Sequence, residues 1–294
     1  MASETELTAM RQAIILSSLG LGTTSPNPQV GCVILDHHGT VAGAGFHLRK
    51  GEPHAEVHAL AEAGEAARGG TAVVTLEPCN HIGVTPACRQ ELINAGITRV
   101  VISVIDPTSR GAGGAAALAA AGIDVETNVL PDETLTVLGP WLMATRRRRP
   151  YLTWAYTVGD GGDQNIDEQL VVDLRDRADL VLAQTAIEEG IPGGHAPEHF
   201  TLPDHVDEDL RQWLSTCYTA GARTVLLVGA NYADALHNNL ECLDEIVITA
   251  PRVEPRQPLA VANAVSAPAD FRMTCVSVKA GASKARFQRG SLNS

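Results

Sequence analysis

Gly51-Glu52-Pro53-His54-Ala55-Glu56-Val57, then Thr75-Leu76-Glu77-Pro78-Cys79, then Cys88: the reading of these segments decides the fold. The first opens a helix expected over 54–65 from its apolar spacing. The second closes a Val-rich strand over 72–76. Cys88 falls in the opening turn of a helix expected over 86–95. The same alternation continues outward. Residues 5–19 carry a helical apolar stripe through Leu7, Met10, Ala13 and Ile14. Strands are expected at 30–35, 41–46, 100–105 and 124–129, and a helix at 114–121. Strand–helix alternation of this kind gives one sheet with helices on both faces. The Gly- and Ala-rich stretch 111–122 reads as a small-residue helix packed closely on that sheet. It is no phosphate loop, because no G-x-G-x-x-G directly follows a strand.

A helix ending near Met143 runs into Arg146-Arg147-Arg148-Arg149-Pro150, read as a solvated, cation-favouring helix end at a domain junction. Strands are then expected at 151–158, 180–183, 225–228, 245–250 and 273–278, with helices at 167–178, 206–220 and 232–240. The polar, basic, aperiodic stretch 281–294 is expected to be a flexible tail. The 294 residues thus divide into expected domains 1–147 and 148–280 plus that tail, in keeping with domains of ~100–200 residues.

Hydrophobic residues make up 45 % and charged residues 19 %, which excludes a disordered chain. The formal net charge of −12 argues against a nucleic-acid partner and leaves a small-molecule substrate. A nucleic-acid deaminase would need a basic groove, which this chain supplies only locally. No apolar run reaches the ~18–20 residues that span a bilayer, so no membrane partner is expected. The first ten residues are polar and acidic, unlike a secretory signal. Six scattered cysteines fit a reduced, cytoplasmic setting, in which clustered thiols point to metal or catalysis.

One imidazole (His54) and two thiolates (Cys79, Cys88) suit a tetrahedral Zn²⁺ whose fourth position is open to water. Cys88 at a helix start gains from the helix dipole. Glu56 follows His54 by two residues, and Pro78 precedes Cys79. This is the H-x-E and P-C pattern of zinc deaminases. There, zinc-held hydroxide attacks the ring carbon bearing the amine, and the Glu is no ligand but shuttles the proton. Eight residues, not two, separate the cysteines here. A structural zinc would need a fourth protein ligand, for which His58 and His81 are the candidates. His58 lies one turn past His54 on the same helix face.

With Ser25-Pro26-Asn27-Pro28-Gln29-Val30-Gly31-Cys32 and Asp106-Pro107 added, residues 5 to about 150 resemble the riboflavin-biosynthesis deaminase–reductase family. The resemblance implies a cytidine-deaminase-like three-layer α/β/α domain followed by a dihydrofolate-reductase-like α/β domain. It implies a zinc-dependent aminohydrolase acting on a cyclic amidine, since the family deaminates a diaminohydroxypyrimidine that carries a phosphoribosylamino group. By the same resemblance Asn27 and His47 contact the substrate base or sugar, His81 lies beside the pocket, and the chain forms a homodimer or homotetramer built on the first domain.

Departures from the family pattern are equally readable. Val84 stands where the family carries a basic residue that meets the substrate phosphate, and Ile82 where it carries His or an aromatic. Loss of a charge-assisted phosphate contact weakens binding. This opens the choice to a substrate without the phosphate, or with another heterocycle, in riboflavin-type or specialised metabolism. In the second domain Ala155 replaces a Lys. Thr157-Val158-Gly159-Asp160-Gly161-Gly162, Gln184-Thr185-Ala186-Ile187-Glu188-Glu189-Gly190 and Val228-Gly229-Ala230 replace the functional turns. Without close-approach glycines a dinucleotide pyrophosphate is poorly held, so no cofactor beyond Zn²⁺ is expected. Two other readings stand beside this one: a bifunctional deaminase and NADPH-dependent reductase, and a non-catalytic, zinc-stabilised binding protein. Cys32, Cys217, Cys242 and Cys275 are read as small core residues. His195 and His199 are read as part of a solvated loop.

Overall fold

Helix α1 (Glu4–Ser17) forms on the expected stripe and starts from a capping box between Ser3 and Glu6. There follow β1 (Gly31–Leu35), β2 (Val41–Phe46), α2 (Ala55–Ala63), β3 (Thr71–Leu76), α3 (Cys88–Asn94), β4 (Arg99–Val104), α4 (Gly114–Ala120), β5 (Asp124–Glu126) and α5 (Pro131–Arg147). The computed structural model describes residues 1–81, 87–108, 113–157, 168–183, 186–206, 209–229, 232, 235–236, 238–251, 267–279 and 282–290.

The first sheet has the order β2-β1-β3-β4-β5. β1 is antiparallel to β2 and β3, whereas β3, β4 and β5 are parallel. The two-residue period of the strands splits the core in two. Cys32, Ile34, Val74, Val100 and Ile102 pack with Ala55 and Ala59 of α2, Leu92 of α3 and Leu118 of α4. Val33, Leu35, Val73 and Val101 pack on the other side with Met10 and Ala13 of α1 and Val137 of α5. The result is the expected three-layer α/β/α arrangement.

Two glycines bring α2 onto this sheet. A Cβ on Gly43 would lie 2.6 Å from the Ala63 amide nitrogen, and one on Gly45 2.7 Å from that of Ala59. No side chain fits there, and α2 turns the small, buried stripe Ala55, Ala59, Ala63 to the same side. Helix backbone and strand therefore approach directly, which fixes the start of α2.

The contacts divide the chain into two compact units, Met1–Pro140 and Trp141–Ser294, so the division falls inside α5 rather than after it. The second unit contains β6 (Tyr151–Thr157), α6 (Glu168–Arg175), β7 (Leu180–Ala183), β8 (Ala186–Glu189), α7 (Leu210–Thr219), β9 (Thr224–Val228), β10 (Glu245–Pro251), β11 (Phe271–Lys279) and β12 (Ala282–Arg289). Its sheet runs β11-β12-β10-β6-β9-β7-β8. β10, β6, β9 and β7 are parallel, flanked by antiparallel β8 on one side and β12 on the other. Trp213, Leu214 and Cys217 of α7 cover Leu152, Leu180, Val225, Leu227 and Ile246. Leu174 of α6 and Ala178 cover Ala155, Val181, Leu226 and Val247.

Four expectations are corrected here. The stretch 281–294 is not a loose tail over its described part. β12 inserts between β10 and β11 and turns Ala285 and Phe287 to the core side. The Arg block is not simply solvated. Arg149 forks onto both carboxylate oxygens of the buried Asp244 (2.7 and 3.0 Å), and Arg147 joins it. Cys275 is exposed, because β11 is the edge strand. His195 is buried, with Nε2 3.1 Å from Asp179 Oδ1, Nδ1 3.3 Å from Glu189 Oε1, and its ring stacked on Phe200. Among the described residues no helix is long and apolar enough to cross a membrane.

Candidate active site

His54 is the N-cap of α2. Its backbone is extended, with φ −74° and ψ 164°, and its carbonyl accepts from the N–H groups of Val57 and His58. Its imidazole makes no capping bond. It turns instead toward two sulfurs, with Nδ1 3.1 Å from Cys88 Sγ and 3.8 Å from Cys79 Sγ. Cys79 follows the end of β3 and Cys88 is the first residue of α3. The Cys88 backbone N–H donates to Cys79 Sγ over 3.3 Å. One ring nitrogen and two sulfurs thus lie within 4.8 Å of one another. His58 and His81, the candidates for a fourth protein ligand, are both exposed and outside this group.

The turn that carries Cys79 is held by Glu77, whose role the sequence reading missed. Its buried carboxylate accepts from the backbone N–H of Ala115 (2.8 Å) and of Asp106 (3.2 Å). This ties the end of β3 to the Asp106-Pro107 segment and to the start of α4. At Gly114 a Cβ would collide with the Pro78 carbonyl oxygen. The co-occurrence of Glu77-Pro78-Cys79 and Asp106-Pro107 was the available signal.

The electrostatics of the cluster are those of a cation site. A hydrogen bond from Cys88, aided by His54 and the Cys88 backbone N–H, pulls the Cys79 thiol down to about 4 against the effect of burial. The same pair pushes Cys88 well up, because a second thiolate beside the first is repelled and burial adds to the cost. His54 is raised by its hydrogen bond to Cys79. Glu56, in the first turn of α2, is 3 % exposed, and burial raises its carboxyl above the ordinary range. One imidazole and two sulfurs are the donor set of zinc rather than of an oxygen-preferring cation, and a divalent ion here would relieve the thiolate repulsion.

Asn27 and His47, expected at the substrate, do come together. Asn27 Nδ2 lies 3.1 Å from His47 Nε2, and His47 Nδ1 lies 3.1 Å from the Pro53 carbonyl oxygen. The His47 ring meets His54 edge-on, 5.2 Å between centroids. Burial lowers His47 to about 4. Val84 and Ile82 lie outside the described residues, as do 158–162, 184–185 and Ala230 of the second unit.

Residues 3–104 match the family model of the cytidine and deoxycytidylate deaminase zinc-binding region. A diaminohydroxyphosphoribosylamino-pyrimidine deaminase of Buchnera aphidicola is 53 % identical over 126 residues, which are 42 % of this chain and 85 % of that protein. This chain belongs to the riboflavin-biosynthesis deaminase–reductase family. Riboflavin biosynthesis protein RibD of Escherichia coli, a member of the same family, is 49 % identical over 144 residues. That match spans 49 % of this chain and 39 % of the length of the E. coli protein. The family fold extends over both units. A Thermotoga maritima deaminase/reductase structure superposes with a TM-score of 0.79 over 97 % of this chain and 99 % of that one, at 23 % identity.

Proposed function

We propose that this chain is a zinc-dependent hydrolytic deaminase of an amino-substituted pyrimidine or related N-heterocycle, with the metal held by His54, Cys79 and Cys88. The observation that carries this reading is the buried Glu56 carboxyl beside a His/Cys/Cys set, the donor arrangement of a three-ligand catalytic zinc. Zinc bound there supplies Lewis acidity that brings a water's pKa to about 7. Glu56 takes the proton of that water on a carboxylate oxygen. It passes that proton to the ring nitrogen. It then takes the second proton from the oxygen now bonded to the ring carbon and gives it to the departing amine as the C–N bond breaks. One water is consumed, one ammonia is released, and the ring keeps a C=O and an N–H. Burial, which raises Glu56, suits a group that must both accept and return a proton.

Asn27 and His47 serve the substrate side of the site, and His81 its rim. Val84 in place of a cation favours a substrate without a phosphate. The chemistry belongs to the domain 1–147, in a homodimer or homotetramer built on it, in a reducing cytoplasm. The domain 148–280 keeps a reductase's fold without its site: Ala155 offers no amine, and the Trp154 indole N–H is bonded to the Gly229 carbonyl at 2.7 Å. A second reading, the full bifunctional enzyme, is favoured by the fold match over the whole chain.

An ammonia-release screen tests both. Aminopyrimidines, pteridines and purines, each with and without ribose phosphate, are offered together with NADPH. Ammonia from an aminopyrimidine regardless of phosphate is expected. A strict phosphate requirement would refute the Val84 argument, substrate-dependent NADPH oxidation would establish the second reading, and silence across the panel would overturn the deaminase.

A further inference from the structure

The stems that carry Cys79 and Cys88 are joined to each other within the protein. α3 begins without a capping side chain, since its N-cap is Ala87. The first N–H groups of a helix have no partner inside it. Here they turn to Cys79. The Cys88 N–H donates to Cys79 Sγ over 3.3 Å, and the Arg89 N–H donates to the Cys79 carbonyl oxygen over 3.4 Å. One bond between side chains closes the same junction: Arg89 Nε donates to Asn80 Oδ1. A guanidinium has donors only, so the Asn80 atom that it meets is the oxygen. The amide nitrogen then lies on the α4 side, where a Cβ on Gly113 would come within 3.2 Å of it. Both side chains are half-buried. Asn80 follows Cys79 and Arg89 follows Cys88, so this bond clasps the two ends of the segment 79–88 at its base.

We infer that Arg89 is a positioning residue for the metal site, which through Asn80 holds the Cys79 and Cys88 stems together and so sets both sulfurs before a metal binds. The inference rests on the proposed metal set of His54, Cys79 and Cys88, and on no particular substrate. Zinc takes its ligands in tetrahedral directions, and two sulfurs carried on separate stems must be ordered to meet them. A clasp made in folding removes part of that ordering cost from the binding step. The guanidinium stays protonated throughout, so the clasp does not depend on pH or on the metal. Side chains that orient metal ligands without touching the metal are worth about ten- to a hundredfold in affinity.

The test is a metal titration of the full chain, stripped with a chelator and given no substrate. Competition with a chelating dye reads the zinc affinity, and Co²⁺ reports sulfur coordination through its thiolate charge-transfer absorption. Arg89→Met and Asn80→Leu should each weaken zinc by about ten- to a hundredfold. The double variant should lose no more than the more damaged single one, because either substitution alone opens the clasp. Asn80→Asp keeps an oxygen for Arg89 and should bind zinc within severalfold of wild type or more tightly.

Unchanged affinity in both single variants, or losses that multiply in the double variant, would overturn the inference. If Arg89→Met does not fold, the Asn80 pair decides: a loss in Asn80→Leu but not in Asn80→Asp supports the clasp, and equal losses contradict it. A wild-type chain that binds no zinc would remove the metal reading and the inference together. Zinc bound as expected by a chain that releases no ammonia would sink the deaminase reading alone.

Discussion

In the second unit the buried carboxylates close on partners, although the Thr145 hydroxyl and the Trp213 indole N–H are buried without a hydrogen-bond partner among the described residues. Asp244, 1 % exposed, receives Arg149, Arg147 and the Leu152 N–H (2.9 Å). Asp179 accepts from the N–H groups of Arg223 (2.7 Å) and Thr224 (2.9 Å) and faces His195. At the carboxyl ends of the parallel strands the Thr157 and Thr249 hydroxyls pair at 2.8 Å, and Trp154 reaches the Gly229 carbonyl. In the first unit some groups are closed in the same way, such as Glu77 on two amides. But at one place, where α2 and α3 begin and β3 ends, two sulfurs, a ring nitrogen and a carboxyl have mainly each other. A buried polar group without a good partner costs free energy, so such a gathering points to something that binds and completes it. The difference teaches where to look for chemistry: in titratable, metal-ligating groups gathered on one another, not in the number of polar groups buried.

The contrast can be broken by experiment, beginning with its largest stability effect. Asp244→Ala removes the partner of Arg149 and orphans the Leu152 N–H, at an expected cost of about 3–5 kcal/mol to the second unit. All three tryptophans (Trp141, Trp154, Trp213) lie in that unit, so their fluorescence during denaturant unfolding reports it selectively. A shift below 1 kcal/mol would show that Asp244 does not organise the unit as its contacts imply.

A smaller effect is expected in the first unit from Arg99→Met. Arg99 binds Glu6 at 2.6 Å and also pairs with Asp124 and Glu126. Burial pushes the Glu6 carboxyl up, but its hydrogen bonds from Arg99 and Ser3 outweigh this and hold it below the ordinary value of 4.5. A carboxyl lowered on folding stabilises the fold above its unfolded pKa, and that contribution disappears as pH falls through the lowered value. Wild type should therefore exceed the variant by about 1–3 kcal/mol near pH 7, and the gap should narrow below pH 4.5. Thermal melts followed by circular dichroism at both pH values check it. A gap that widens on acidification would contradict the assignment.

Much of this architecture was legible in the sequence because local pattern and tertiary role agree. The strand–helix alternation of the first unit, and the convergence of His54, Glu56, Cys79 and Cys88, needed only periodicity and ligand spacing. The misses have physical reasons. β12 was passed over because its composition is basic, although Lys284, Ala285, Arg286, Phe287 and Gln288 alternate as a half-buried strand should. His195 looked like a loop residue because its partners, Asp179 and the end of β8, are supplied by tertiary contact. Arg147 and Arg149 could be read only as charges at a helix end until Asp244, nearly a hundred residues away, was placed beside them. The role of Glu77 was hidden because its partners are backbone amides, which leave no mark on residue type.

The central claim is that Glu56 moves protons beside a metal that it does not hold. The most direct test is Glu56→Gln, analysed for bound zinc and for ammonia release on the same preparation. The expected result is one zinc per chain, as in wild type, with ammonia release abolished. Full activity in the variant would contradict the mechanism, and loss of the zinc along with the activity would make Glu56 part of the metal site instead.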